Sequence, residues 1–333
     1  MPDAESAPST SSPDSGNAPR SRFSRVSSRA LVVLQTAVFA GVILHLTIRD
    51  AIPGVAVLYY ALPRIVLAAL ALSVSLAMAF RRRRGPAFAW LAVAAAIAGW
   101  WHHVEWRSGA DPTAQGITVM YWNTGRGAGG WEAIMEQIAD RQPDLVALGE
   151  TDHPSNEFRA LWRRRFPQYD ISFLGGGMMC LVRGTSSDAR VSKLDGYTQI
   201  RELDVTIRGT DLRCLIIDVY AFPLYDRRAA LSGIAQLAEQ SAARPLLVLG
   251  DFNTPVESVH LADLRRAHTN TFEQAGDGYA ATWPTIAPVL SLDQIWTNAN
   301  IEVLDCRHGR TSSSDHRPVL ATVRGVRKSG ISE

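Results

Sequence analysis

Three long apolar runs in the first third of the chain constrain its fold more than any other feature. They cover about 30–48, 60–80 and 86–104, and the second contains Pro63 and Arg64 near its start. Because a helix rises about 1.5 Å per residue, roughly 20 apolar residues cross the hydrocarbon core of a bilayer. The runs therefore predict a membrane anchor of three transmembrane helices over residues 30–107, in contact with the lipid bilayer. A buried helical hairpin in a soluble protein is the alternative.

The arginines around these runs predict the orientation of the anchor. Four arginines between residues 20 and 29 precede the first run, and Arg81 to Arg84 fill the short loop between the second and third runs. Loops rich in Lys and Arg stay in the cytoplasm. The sequence therefore predicts a multi-pass protein with a cytoplasmic N-terminus, in which three crossings place everything after Val104 outside the cytoplasm.

The rest of the chain divides into polar segments and one folded domain. Residues 1–29 are rich in Ser, Pro, Ala and Asp and lack apolar periodicity, which predicts disorder. Residues 108–116 are small and polar, as in a linker, and residues 326–333 form a tail. The folded domain between them spans residues 117–325.

Within this domain the apolar pattern alternates between strand and helix spacing. Short continuous or alternating apolar runs predict strands, and a 3.6-residue period predicts helices. Adjacent strands mixed with strand–helix units predict an α/β fold, a layered sandwich. The predicted helices are 131–141, 155–166 and 227–243, and the predicted strands are 117–122, 145–148, 178–182, 203–207, 212–220, 246–249, 294–296, 301–304 and 319–323.

Charge and cysteine content argue against several functions. A net charge of +2 gives no general electrostatic case for binding nucleic acid. Three cysteines without a CxxC pair support neither a disulfide framework nor a structural zinc site. Cys180 and Cys214 lie in apolar runs, which predicts buried thiols, and oxidation of one pair among these and Cys306 is the alternative in an oxidising compartment.

Polar side chains occur where the predicted strands end. Strand ends let a rigid sheet hold side chains in a fixed geometry that is open to a substrate. Carboxylates are hard oxygen ligands for Mg²⁺, a His beside a carboxylate transfers protons or contacts phosphate, and Asn donates to phosphoryl oxygens. One such residue alone more often caps a turn, but the set predicts a catalytic site. Its members are Asn123, Glu150, Tyr220, Asp251, Asn253, Asp293, Asp315 and His316.

These residues belong to short motifs that follow one order along the chain. The motifs are Tyr121-Trp122-Asn123, Pro143-Asp144-Leu145 running to Glu150, Tyr220 with Pro223, Gly250-Asp251-Phe252-Asn253, Thr282-Trp283, Leu292-Asp293-Gln294-Ile295 and Ser314-Asp315-His316. From about Ile117 to Arg324 the chain resembles the endonuclease/exonuclease/phosphatase superfamily, which contains deoxyribonuclease I, exonuclease III-type apurinic endonucleases, neutral sphingomyelinases and inositol polyphosphate 5-phosphatases. The resemblance implies a four-layered α/β sandwich, as in deoxyribonuclease I, and hydrolysis of phosphodiesters or phosphomonoesters.

The resemblance also implies a metal site. Glu150 matches the principal metal carboxylate, with Asp315 and Asn123 nearby, and the implied ion is Mg²⁺, with Mn²⁺ as an alternative. Some members carry an Asp two residues after the first Asn, where this chain has Gly125. The number of metal ions, one or two, therefore stays open.

The remaining motif residues match positions that act on the substrate. By the resemblance, Asp251 activates or orients the attacking water, and Asn253 contacts the scissile phosphate. His316 faces the same phosphate, with Asp293 holding its imidazole. Tyr220 stabilises the pentacoordinate phosphorane or its leaving group. These assignments define a hydrolase whose partner is a phosphate-ester substrate.

Two further residues and several alternatives complete the prediction. Arg126 and His153 lie just after motif residues and are predicted to contact substrate, with an ordinary surface role as the alternative. Nucleic acid, a phospholipid head group and a small phosphate ester stay open as substrates. The alternative function is a non-catalytic, membrane-tethered binding or sensing module on the same fold. No protein partner is predicted.

Overall fold

The N-terminal part of the protein is a group of packed helices. The computed structural model describes residues 22–109, 113, 115–151 and 155–326. Apolar side chains such as Val38, Leu67, Ala71 and Trp90 fill the contacts between the helices. We call these helices together the helical segment; they are α1 (Arg22–Leu46), α2 (Pro53–Ala61), α3 (Arg64–Phe80) and α4 (Arg84–Glu105).

The predicted second membrane span is broken in the structure. α2 and α3 are separated by Leu62 and Pro63 and are bent by 61° relative to each other. A proline disfavours helical geometry in the residue before it, so α2 ends there and α3 starts afresh. Two helices in the described residues, α1 and α4, are long and apolar enough to cross a membrane, or three if the bent pair α2–α3 counts as one.

The ends of the predicted segments also differ. α1 begins at Arg22, so the predicted disorder is wrong for residues 22–29, because a helix started by an apolar run propagates easily into neighbouring Arg and Ser. Residues 1–21 of that prediction lie outside the described residues, as do parts of the predicted linker and tail. Ser108 belongs to a short strand, not to the linker.

The C-terminal part is built on two sheets. The first has the strand order β1-β12-β14-β15-β2-β3-β5-β4, and the second has the order β11-β13-β10-β9-β8-β6, with β7 paired to β8. The strands are β1 (Trp106–Ser108), β2 (Ile117–Asn123), β3 (Leu145–Gly149), β4 (Asp170–Gly175), β5 (Met178–Val182), β6 (Thr185–Ser186), β7 (Arg190–Lys193), β8 (Gln199–Ile207), β9 (Thr210–Asp218), β10 (Leu246–Asp251), β11 (His268–Asn270), β12 (Gly276–Tyr279), β13 (Asp293–Asn298), β14 (Ile301–His308) and β15 (Val319–Gly325).

Helices cover the outer face of each sheet. Ile117 and Val119 of the first sheet pack between the sheets against residues such as Val205 and Leu247 of the second. This arrangement of helix, sheet, sheet and helix confirms the predicted four-layered α/β sandwich. The helices are α5 (Trp131–Arg141) and α6 (Asn156–Arg165) on the first sheet, α7 (Arg228–Gln240) and α8 (Ala262–Arg265) on the second, and α9 (Thr271–Ala275).

The main elements were predicted from apolar periodicity, whereas the edge strands were not. β1, β4, β6, β7, β11 and β12 lie at or near sheet edges, where exposed or short strands lack a clear apolar pattern. β9 ends at Asp218, two residues before the predicted end at Tyr220. All three cysteines are buried and free, and Cys180 and Cys214 lie in the core between the sheets, as the apolar runs predicted.

Candidate active site

The site lies where strands from both sheets end at one edge of the sandwich. β2 and β3 are parallel, with Asn123 aligned to Gly149, so Glu150 follows at the same edge. In the second sheet Asp251, at the end of β10, is aligned both with Asp218 of parallel β9 and with Asp293 of antiparallel β13. The register thus brings together acidic residues that are far apart in sequence.

The amide of Asn123 connects the two sheets. Its Nδ2 donates to Glu150 Oε1 at 3.1 Å and to Asp251 Oδ2 at 3.0 Å, while its Oδ1 accepts from the backbone N–H of Gly125 at 3.0 Å. In this geometry Asn123 orients two carboxylates with its N–H group. Its role as a metal ligand stays a prediction.

His316 is held tightly beside two carboxylates. Its Nδ1 lies 2.8 Å from Asp293 Oδ2 and 3.9 Å from Asp251 Oδ2. The loop that carries it is tied to β2, because Trp122 donates to the carbonyl of His316 at 2.9 Å and the Ser314 hydroxyl donates to the carbonyl of Asn123 at 2.8 Å. The predicted pairing of His316 with Asp293 is therefore present in the structure.

Burial and mutual repulsion perturb the titration of these groups. Burial, and then the charge of Asp293, raise the pKa of Asp251 to about 6. Burial and the charge of Asp251 raise the pKa of Asp218 to about 8. Burial disfavours the imidazolium of His316, but the carboxylates of Asp293 and Asp251 outweigh it and raise its pKa to about 10. Near pH 7 His316 is therefore charged, Asp251 is mostly ionised and Asp218 is mostly protonated.

Glu150 and Asp315 lie between two clefts. The cleft on one side has a volume of about 490 Å³ and includes Asp251 and His316; we call it the catalytic cleft. The cleft on the other side has a volume of about 760 Å³ and also contains Glu150 and Asp315. The indole N–H of Trp283 donates to Asp315 Oδ2 at 3.2 Å, which fixes that carboxylate.

Asn253 and Tyr220 occupy the surroundings of the acidic group. The backbone N–H of Asn253 donates to Asp251 Oδ1 at 2.8 Å, and the side-chain amide of Asn253 donates to the carbonyl of Val219 at 2.8 Å. Asn253 also lines the catalytic cleft. The ring of Tyr220 stacks on Tyr197 with centroids 4.9 Å apart and is 39% exposed. The structure therefore brings Asn253 to the site, while Tyr220 lies in an aromatic stack next to the cleft-lining Ala221.

Of the two predicted substrate contacts, one lies beside the acidic group. Arg126 Nε is 3.7 Å from Glu150 Oε2, and the arginine side chain is 74% exposed. An exposed guanidinium next to a metal-competent carboxylate is well placed to meet an anionic substrate. His153 lies outside the described residues.

Asp218 is a site residue that the sequence reasoning missed. It follows the apolar run of β9 as the last residue of that strand, and the parallel register places it beside Asp251. The signal was available, because a carboxylate at the carboxyl end of a strand next to β10 must share the edge with Asp251.

The donor set fits a divalent cation next to Glu150 and Asp315. The site combines an excess of carboxylates with the single imidazolium of His316, and their mutual repulsion is relieved by bound positive charge. The absence of a side chain at Gly125 keeps Asp315 open, since a Cβ there would lie 2.9 Å from Asp315 Oδ1. Ligand atoms of Asp251, Asp293 and His316 also lie within 4.8 Å of one another. In that trio His316 Nδ1 lies 2.8 Å from Asp293 Oδ2, which is the geometry of a hydrogen-bonded acid–base pair.

The fold and the site together define a class. A two-sheet α/β sandwich with acidic and imidazole side chains at one edge is a phosphoesterase fold. The chain belongs to the endonuclease/exonuclease/phosphatase family, because the model of the family described as "Endonuclease/Exonuclease/phosphatase family" matches residues 120–316, more than half of the chain. Among curated proteins, none matches this sequence.

Solved structures show the same fold at low sequence identity. Truncated Caenorhabditis elegans TDP2 is 19% identical with a TM-score of 0.51, and the match covers 63% of this chain and 98% of that chain. A variant of the 3′ phosphatase NExo from Neisseria, bound to a product DNA hairpin, is 18% identical with a TM-score of 0.51, over 62% and 98% of the two chains. An endonuclease/exonuclease/phosphatase from Bacteroides vulgatus is 19% identical with a TM-score of 0.51, over 64% and 100%. These likenesses concern the fold alone.

Proposed function

We propose that the protein is a membrane-anchored, divalent-metal-dependent phosphoesterase that hydrolyses a phosphodiester or a phosphomonoester. One observation carries the proposal: Asp251, buried and hydrogen-bonded, lies 3.9 Å from the imidazole of His316 while Glu150 and Asp315 line the same cleft. This is the combination of base, cation and metal carboxylates that phosphoryl transfer requires.

The residues of the chain divide the chemistry between them. Asp251, with a pKa of about 6, is ionised at neutral pH and accepts the proton of the attacking water. His316 donates one ring N–H to Asp293. Its positive charge and its other ring N–H therefore stabilise a phosphoryl oxygen or the leaving oxygen in the cleft. Asn253 adds a neutral contact to the phosphate. A divalent ion held by Glu150 and Asp315 would supply charge neutralisation on the non-bridging oxygens.

Membrane anchoring is supported by the outer surface of the helical segment. Large apolar side chains such as Val33, Phe39, Phe80 and Phe88 are more than half exposed there, which is unfavourable in water over so continuous a surface. The loop at Arg81 to Arg84 connects the ends of α3 and α4 that point away from the sandwich, as α4 leads directly into β1. By the positive-inside rule this loop is cytoplasmic and the sandwich is extracytoplasmic.

A metal-dependence assay tests the proposal on the full chain purified in detergent. The substrate is bis(p-nitrophenyl) phosphate or p-nitrophenyl phosphate, assayed with Mg²⁺, after EDTA, and after adding back Mg²⁺ or Mn²⁺. We expect turnover that EDTA abolishes and that either metal restores. Turnover unchanged by exhaustive EDTA would refute the metal mechanism. Absence of turnover on both esters and on DNA, RNA and phospholipids would favour the non-catalytic binding module.

A further inference from the structure

The short helix α2 closes one side of the catalytic cleft. Val57, Tyr60 and Ala61 of this helix line the same cleft as Asp251 and His316. α2 belongs to the helical segment and connects α1 to α3, so a part of the predicted membrane anchor contributes directly to the catalytic cleft. The sandwich alone would leave this side open.

Buried polar contacts hold α2 in this position. Asp50, just before α2, is fully buried, and its carboxylate accepts hydrogen bonds from the Ser258 hydroxyl, the Val259 backbone N–H and the Tyr60 hydroxyl. The imidazole of His260 lies 2.9 Å from the Asp50 carbonyl oxygen. A buried carboxylate with this many partners fixes geometry strongly, because losing any partner leaves unsatisfied groups.

A second contact fixes the start of α3 against the same part of the sandwich. The Arg64 guanidinium lies 2.9 Å from Glu257 and 3.2 Å from Glu105, and all three side chains are largely buried. Glu257 directly precedes the segment that binds Asp50. Polar contacts therefore tie both ends of α2 to the sandwich and hold this helix beside the cleft.

The cleft lining combines polar and apolar side chains. Its apolar part includes Val57 and Ala61 of α2 together with Leu290, Leu292 and Pro223 of the sandwich. The lining also contains Arg227, which is 4% exposed, has its guanidinium 5.7 Å from the centre of the Tyr60 ring and leaves its Nε without a hydrogen-bond partner. Arg227 thus places a buried positive charge in the cleft that α2 shares with Asp251 and His316.

The apolar character continues beyond the cleft. The loop that lines it through Ala221 and Pro223 exposes Phe222 and Leu224 at 52% and 59%. Arg228, at the start of α7, donates to the carbonyl of Ala51 at 3.0 Å, so this loop lies against the helical segment. An apolar chain leaving the cleft would therefore run along apolar surface towards the helices.

We propose that α2 selects the substrate, and that the substrate is an amphiphilic phosphate ester whose hydrocarbon chain lies against Val57 and Ala61 while its phosphate meets Asp251 and His316. The proposal rests on the proposed phosphoesterase function and names its substrate class. Nucleic acid fits less well, because among the residues that the structure describes the cleft lining supplies only Arg227 and His316 as basic side chains, whereas a polyanion requires a row of Lys and Arg.

Two esters that differ only in chain length test the proposal: methyl and decyl p-nitrophenyl phosphate. The full chain is assayed in one detergent solution, and the measured quantity is the ratio of kcat/KM for the decyl ester to that for the methyl ester. We expect a ratio of about ten or more, which burial of two methylene groups would give. Single-stranded and double-stranded oligonucleotides are assayed in parallel, and faster turnover of either than of the decyl ester would overturn the proposal.

Variants of α2 locate the selectivity. Val57→Asn should lower the decyl-to-methyl ratio several-fold, and Ala61→Trp, which places a large side chain in the cleft beside Val57, should lower it at least as much. Leu58→Asn is the matched control, because Leu58 is the next residue of the same helix, is 58% exposed and is not part of the cleft lining, so its ratio should equal that of the wild type. Each ratio is taken within one protein, so partial unfolding of a variant cancels.

The outcomes separate the two proposals. If neither ester is hydrolysed, the phosphoesterase function itself fails. If it is hydrolysed but the wild-type ratio is near one, or if Val57→Asn and Ala61→Trp keep the wild-type ratio, only the role of α2 is refuted.

Discussion

Replacing Asp251 by Asn separates a catalytic role of this carboxylate from a structural one. Asp251 Oδ1 accepts from the backbone N–H of Asn253, and Oδ2 accepts from the amide of Asn123. An Asn offers a single oxygen, so one of these donors loses its acceptor, which costs about 1–3 kcal/mol. The same change removes a buried charge whose pKa is raised from 3.8 to about 6, a gain of about 3 kcal/mol at neutral pH.

Because these two terms offset each other, we expect the Tm of Asp251→Asn to stay within a few degrees of the wild type. The loss of a general base should nevertheless lower kcat by about 10²–10⁴-fold with little change in KM. The assay is hydrolysis of bis(p-nitrophenyl) phosphate at saturating Mg²⁺ by the full chain, with a thermal melt of the same sample. A kcat within threefold of the wild type would refute the site as described.

Asp144→Asn is the matched control for this prediction. Asp144 is also a buried carboxylate next to a strand, but it accepts from the Thr118 backbone N–H and hydroxyl and from Arg208 at 2.6 Å, far from the cleft. Its replacement should lower the Tm and leave kcat near the wild-type value. If both variants lose activity in proportion to stability, Asp251 is structural.

Four further results are expected. Glu150→Gln keeps the contact with Asn123 but removes a charge, so the Mg²⁺ concentration for half-maximal activity should rise about tenfold or more. Identical Mg²⁺ dependence of activity in the variant and the wild type would contradict a metal role. His316→Ala should lower kcat by about 10²–10³-fold, and Asp293→Asn should lower it less because it only misorients the imidazole; equal losses would argue against this division. A reporter that works only outside the cytoplasm should be active when fused after Glu333 and should lose activity when Arg81 to Arg84 are neutralised. Activity of a reporter that works only in the cytoplasm, fused at the same point, would reverse the proposed topology. Burial lowers the pKa of His308 from 6.5 to about 3, so between these pH values the unfolded chain binds more protons than the folded one. The free energy of unfolding should therefore fall as the pH drops below 6.5, by up to about 1.4 kcal/mol per pH unit. His308→Gln should reduce this dependence of stability on pH, and an equal dependence in variant and wild type would contradict the burial argument.

Much of the fold could be predicted because the central strands are doubly buried. β3, β5 and β10 are apolar throughout, and α5 and α7 show a clear helical period. β1 could not be predicted, because its three residues become a strand only by pairing with Asp277 to Tyr279, far along the chain. The break between α2 and α3 was signalled by Pro63, but composition alone cannot decide between a kinked helix and two helices.

The sequence predicts which residues form the site better than it predicts how their side chains are arranged. Polar residues after apolar strands gave Asn123, Glu150 and Asp251, since strand ends expose side chains in fixed positions. Hydrogen-bond direction was not predictable: the amide of Asn123 presents its N–H to two carboxylates, which depends on where the Gly125 N–H lies. Asp218 lies in the site because of the register between β9 and β10, which cannot be read from one sequence.

The position of α2 is the feature of the structure that the sequence alone indicates least. A single charged residue determines this position. Asp50 follows an apolar run and precedes another, and there it is most simply explained as an interfacial residue of a membrane loop. In the structure it is fully buried against Ser258 and Val259, more than two hundred residues away. Removing a carboxylate from water is costly unless hydrogen bonds replace its hydration, so a sandwich that supplies these donors selects one docking geometry over others. The loop at Asp50 therefore links the helical segment to the catalytic cleft, because the same contact that fixes the sandwich to the helices also holds Tyr60 and Val57 in the lining of the cleft that contains Asp251.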